Sequence, residues 1–139
     1  MPRRHYQRVT PEDFVAAVKR VVFDSAVTAT MKTLQDGPPG REPRPRGSAL
    51  NLWFRRLPVA DQQMVMECVR DAAHAAVFGL LCVLDGVRVV DDPPHADLHL
   101  TATNPDGTTV TLASRSESFE LHDEFNGLVH PPGERWPPG

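Results

Sequence analysis

Glycine and proline punctuation constrains this chain more than any other feature, because it leaves only a few uninterrupted stretches, each suited to one kind of element. Fourteen prolines in 139 residues exceed the share usual in a compact fold. Part of the chain is therefore expected to lie outside the core.

Thr10-Pro11-Glu12-Asp13 reads as a helix start, with Thr as N-cap, Pro at the first helical position and acids where the helix dipole favours them. Asp36-Gly37-Pro38-Pro39 reads as its stop. The spacing predicts a helix from Pro11 to Gln35 that buries Phe14, Val18, Val21, Val22, Ser25 and Ala29. Residues 37–47 contain three arginines and no apolar side chain except proline, so they are expected to form a flexible linker. Ser48 is expected to cap a short helix whose stripe is Leu50, Trp53, Phe54 and Leu57, with Trp53 and Phe54 as core anchors. After Pro58 comes the longest periodic segment, predicted to bury Val65, Val69, Ala72, Ala76, Leu80 and Val83 and to end at Asp85-Gly86. From Ala75 to Leu84 it is apolar nearly all round, which suits either a central helix or a subunit interface.

The remaining third has a different period. Val87–Val90 fits a short strand, and Asn104-Pro105-Asp106-Gly107 fits a type I turn closing a hairpin with a glycine bulge. Pairing Asn104 with Thr108 sets Thr103 opposite Thr109, Ala102 opposite Val110, Thr101 opposite Thr111 and Leu100 opposite Leu112. Apolar residues then share one side. Ser116 or Ser118 is expected to cap a last short helix with the stripe Leu121, Phe125 and Leu128. Residues 1–9 read as a flexible arm and residues 131–139, proline-rich around Trp136, as a disordered tail. The fold class is α+β: one domain of two long and two short helices packed on one face of a small antiparallel hairpin or meander.

Two cysteines, Cys68 and Cys82, sit inside an apolar helical pattern and are too few for a disulfide framework. A cytoplasmic location is expected, with no visible targeting signal and no membrane span. Net charge is −3 but unevenly divided: residues 1–57 carry eleven basic residues against five acids, and residues 58–139 carry four against thirteen. A +6 half thus precedes a −9 half. Thirteen of the fifteen basic residues are arginine, which looks like a coding bias rather than a nucleic-acid surface. The basic half also lacks a stripe interleaved with exposed aromatics, so nucleic acid is not an expected partner.

His95, Asp97 and His99 alternate, which in a strand puts them on one face with Thr101 and Thr103, the solvent side. Their spacing of ~7 Å lets two imidazoles converge on one ion only with a further ligand. Glu120, His122, Asp123 and Glu124 are the residues able to supply it, and a metal-assisted hydrolase using His95, His99 and His122 is the alternative reading. The preferred reading takes the histidine face as solvated, with no metal or other cofactor. His74, Phe78, Cys82 and Asp85 form a stripe on the long helix; His74 and Cys82 lie ~12 Å apart along it and are no dyad. Phosphate loops, CxxC pairs and GxSxG elbows are absent from the sequence.

The function expected from these features is a cytosolic, non-enzymatic protein-interaction module. Its acidic half, at Glu120, Asp123 and Glu124, meets a protein with a basic surface, and the chain self-associates as a homodimer or larger assembly through the end of the long helix or the aromatic short helix. In architecture alone the arrangement resembles small bacterial interaction modules such as toxin-neutralising immunity proteins; the analogy transfers no residues.

Overall fold

The computed structural model describes residues 8–42 and 44–130. The sequence-predicted tail at 131–139, with Trp136, and most of the N-terminal arm lie outside the described residues. The elements are α1 (Pro11–Ala17), a π-helical segment (Val18–Asp24), α2 (Ser25–Asp36), α3 (Pro45–Arg55), α4 (Val59–Leu84), β1 (His99–Thr103), β2 (Thr109–Ser114) and α5 (Leu121–Val129). The fold class is α+β, with a two-stranded antiparallel sheet. Among the described residues no helix is long and apolar enough to cross a membrane. The chain divides into two compact units, a hairpin unit of residues 8–19 with 78–130 and a helical unit of residues 20–77.

In the hairpin unit α1 begins as its sequence requires. Thr10 accepts the Asp13 N–H and Asp13 accepts the Thr10 N–H, a reciprocal capping box. This helix packs on α5 and β2. The core consists of Val15, Leu81, Cys82, Leu112, Ala113, Leu121, Phe125 and Val129. The hairpin closes through a turn in which the Gly107 N–H reaches the Asn104 carbonyl at 2.9 Å and Gly107 takes φ +84°. Thr103, Ala102 and Thr101 pair with Thr109, Val110 and Thr111, as turn chemistry dictates. Beyond Thr101 the register slips: Leu100 meets Ala113, not Leu112, and His99 meets Ser114. The bulge lets Leu112, Ala113 and Ser114 all be buried in succession. Residues 87–90 form no strand; the N–H groups of Val87 and Arg88 bond back to the Cys82 carbonyl and close the end of α4 instead.

The helical unit is built around Phe23, Val27, Leu34 and Phe54. The face expected from a uniform helical period is therefore not the buried one. Val21 and Val22 are exposed, as are Ser25 and Ala29. The cause is the π-helical segment, whose i→i+5 turns advance less per residue and displace every later position around the axis. Helix α2 packs on α3, and the Asn51 amide donates to the Leu34 carbonyl at 2.7 Å. That bond reaches an acceptor near the helix end, where carbonyls lack helical partners. α3 starts at Pro45 rather than at Ser48. Phe54 is fully buried, whereas Trp53 is 48 % exposed and is no core anchor.

α4 also presents a different face from the one expected. Gly79, Leu81 and Cys82 are buried, while Ala72, Ala76 and Leu80 face outward. Between Ala75 and Leu84 the sequence offers no polar side to fix the helix phase. The phase follows instead from Asp85, which is buried at the end of the helix.

Candidate functional site

The side chain of Asp85 is 2 % exposed, and a carboxylate withdrawn from water needs full compensation by donors. It receives three, all from α5. Oδ1 accepts the Leu121 N–H at 3.0 Å, Oδ2 accepts the His122 N–H at 2.8 Å, and His122 Nδ1 lies 2.6 Å from the same Oδ2. Leu121 and His122 open α5, where backbone N–H groups have no helical acceptor. Glu120 occupies the N-cap position without capping, and neither Ser116 nor Ser118 does so. A residue 36 positions earlier caps the helix.

His122 is consequently held from behind. Its side chain is 12 % exposed, and its ring stands edge-on to Phe78 at 5.6 Å with planes at 83°. With Nδ1 turned to Asp85, Nε2 faces Glu120 Oε2 at 3.4 Å and Asp123 Oδ1 at 3.5 Å. Glu120, His122 and Asp123 each bring one ligand atom into a group whose members lie within 4.8 Å of one another. The arrangement supports two chemistries. A protonated imidazole bridges three carboxylates as a structural clasp, whereas a neutral one offers the Nε2 lone pair with two carboxylate oxygens, a set suited to a borderline or hard divalent ion. A carboxylate behind the imidazole is the usual outer-shell partner of a ligating histidine.

The other residues singled out from sequence are placed differently. Glu124 is half-buried in the first turn of α5, next to the cluster but outside it. His95 precedes the strand and lies 3.4 Å from Asp91, and His99 opens β1 beside Asp97, Arg115 and Ser116. Among the described residues, neither joins His122 in a ligand-sized group. The alternation expected for the strand holds from His99 onward, with His99, Thr101 and Thr103 exposed and Leu100 and Ala102 half-buried. His74 stands edge-on to Phe23 at 6.5 Å, with the Arg70 guanidinium 5.6 Å from that phenyl ring. Cys82 is buried, and burial pushes its thiol pKa up, against the opposing pull of Arg88.

Sequence reasoning named Asp85 as the end of a helix and as part of its His74, Phe78, Cys82 stripe, and missed its role. An acid on the apolar side of a helix implies a buried partner, yet nothing in the sequence ties that partner to Leu121 and His122. No family model matches the chain, and neither curated proteins nor solved structures yield a match.

Proposed function

We propose that this protein is a non-enzymatic protein-interaction module of the cytosol. The observation that carries the proposal is the surface of α3, where Leu50, Leu52 and Trp53 are 42 %, 55 % and 48 % exposed and Arg55 and Arg56 follow, both exposed. Exposed apolar groups gathered on one short element mark contact surfaces, and Trp with Arg is the composition that dominates binding hot spots. A second copy of the chain is the partner for this surface. The acidic first turn of α5, with Glu120, Asp123 and Glu124, is the face for a protein with a basic surface; there charge acts mainly on the association rate and weakens with salt.

Light scattering over a concentration series is the test. The wild type is expected to self-associate, and Leu52→Ser with Trp53→Ser to remain monomeric while melting at nearly the same temperature. A wild-type monomer up to the solubility limit removes the α3 contact. For the acidic face, a partner captured at low salt is expected to be lost at high salt and on changing Glu120, Asp123 and Glu124 to Gln. Equal recovery in all three conditions reduces that face to a solubility device.

One observation favours a second reading. The grouping of Glu120, His122 and Asp123 in front of Asp85 supports a divalent-cation site, and with it a metal-assisted hydrolase based on His122 with two carboxylates in place of His95 and His99. Elemental analysis finding about one zinc or manganese per chain, lost in His122→Ala, would promote this reading over the first.

A further inference from the structure

Gly79 lies inside α4, where glycine is the poorest residue short of proline, and it is buried. The neighbour that a side chain there would meet is Arg88. The guanidinium rests against the helix at this point, so that a Cβ on residue 79 would stand 2.5 Å from Nη1. Arg88 forms no ion pair among the described residues. It is an exposed cation without a carboxylate partner among the described residues, and it lines an open cavity of about 200 Å³ in the hairpin unit.

The rest of the cavity wall is part apolar and part charged. Val83, Val89, Val90 and Leu98 supply hydrocarbon surface, and Arg115 and His95 supply further polar groups. Gly86 brings the loop close to Arg115: it has φ +77°, and a Cβ there would lie 2.9 Å from the Arg115 Cβ. Two acids share the wall, but both have partners. Asp91 accepts the Ala96 N–H at 2.8 Å and lies 3.4 Å from His95 Nδ1, which leaves its carboxyl below the ordinary aspartate range, and Asp97 is 4.0 Å from Arg115.

We infer that this cavity binds a small monocarboxylate with a short branched hydrocarbon body, the carboxylate on Arg88 and the body against Val83, Val89 and Leu98. A guanidinium fork matches a carboxylate with two parallel hydrogen bonds. Asp91 and Asp97 repel a second negative charge, which disfavours a phosphate monoester. The volume limits the body, since cavities of about 150 Å³ accept a ligand the size of benzene. Polypeptides end in the same group, so a free acid and a chain end offering a branched apolar residue share this chemistry. The inference is independent of the α3 surface and of the His122 cluster.

Isothermal titration calorimetry on the full chain with isovalerate tests it, with isovaleramide, acetate, inorganic phosphate and N-acetyl-leucine as comparison ligands. Isovalerate is expected to bind, and isovaleramide and acetate to bind at least about tenfold more weakly, the scale of a charge-assisted hydrogen bond. Arg88→Gln is expected to weaken isovalerate by a similar factor. Gly79→Ala, which touches no ligand but displaces the guanidinium, weakens it in the same direction without lowering the melting temperature. Tighter binding of N-acetyl-leucine than of isovalerate supports the carboxylate site and assigns it to a chain end. The inference is overturned if isovalerate gives no heat up to its solubility, if acid and amide bind alike, if phosphate binds more tightly, or if Arg88→Gln binds like the wild type.

Discussion

In the hairpin unit, buried polar groups reach across long stretches of chain: Asp85 caps α5 from 36 residues away, and Asn104 accepts the Val9 N–H from 95 residues away. The helical unit has no comparable group among its described residues. Its buried side chains are Phe23, Val27, Leu34 and Phe54, and the bonds from Asn51 to Leu34 and from Gln62 to Phe54 span shorter distances. Apolar packing is non-directional and tolerates a change of helix phase. A buried carboxylate with three donors tolerates very little. The hairpin unit should therefore respond most to loss of polar atoms and the helical unit to loss of volume.

The largest expected effect tests the helical half of that comparison. Phe54→Ala removes a side chain that is 1 % exposed and is expected to cost roughly 3–5 kcal/mol. Trp53→Ala, one residue earlier and half in solvent, is expected to cost less than about 1 kcal/mol. Chemical denaturation of both variants decides the point. A larger cost for Trp53→Ala than for Phe54→Ala would mean that α3 directs Trp53, not Phe54, to the core.

For the hairpin unit, Asp85→Ala strands the N–H groups of Leu121 and His122 and one imidazole nitrogen, with an expected loss of about 3 kcal/mol. Asp85→Asn keeps an acceptor for the backbone and is expected to lose less. Amide exchange provides the sharper measurement: Leu121 and His122 should lose protection in the alanine variant. Unchanged protection would show that α5 is held by Phe125 and Val129 alone. Asn104→Ala comes next. It removes the acceptor for Val9 and the donor to Thr108, with an expected cost of about 1–2 kcal/mol read from the denaturation midpoint.

These contrasts also explain what was legible in the sequence. The hairpin was read to the residue from Thr101 to Thr111 because a four-residue turn and strict alternation each fix the register alone. The start of α1 and the stop of α2 at Gly37 were equally local. Both long-helix faces were misread, for two physical reasons. The π-helical turns at Val18–Asp24 break the assumed period, and an all-apolar segment contains no information on phase. The candidate site was half legible: His122, Glu120 and Asp123 were named, while Asp85, which positions them, depends on a contact 37 residues long. The bulge beyond Leu100 had no local signal at all.

Acid titration separates the hairpin turn from the rest of its unit. The Thr108 hydroxyl, then the Thr108 N–H, hold the Asp106 carboxyl below the ordinary aspartate range. A depressed carboxylate pKa stabilises the fold fully above its unfolded value, and that stability is lost as pH falls toward and through the folded one. Asp106→Asn should flatten this part of the acid limb by lowering stability slightly near neutrality and converging on the wild type at low pH. The carboxyl is exposed, so the difference will be small. An acid limb of identical slope in both proteins would show that the turn is no stronger for its charge.

The smallest effect uses the two thiols, one in each unit. Cys68 is exposed on α4 in the helical unit, whereas Cys82 is 4 % exposed in the hairpin unit. Burial raises the Cys82 pKa, the carboxylates of Asp85, Asp123 and Glu120 add to the rise, and Arg88 opposes it. The nucleophile is the thiolate, so Cys82 is hindered both by access and by its charge state. At mildly alkaline pH an aromatic disulfide reagent should therefore titrate one thiol quickly and the second only as fast as the hairpin unit opens. Low denaturant should accelerate the second phase alone, and Asp85→Ala should do the same without denaturant, because it loosens the contact between the end of α4 and α5. If Cys82 reacts as fast as Cys68 in the native protein, the end of α4 is not the rigid seat that the Asp85 clasp and the placement of Arg88 over Gly79 both require.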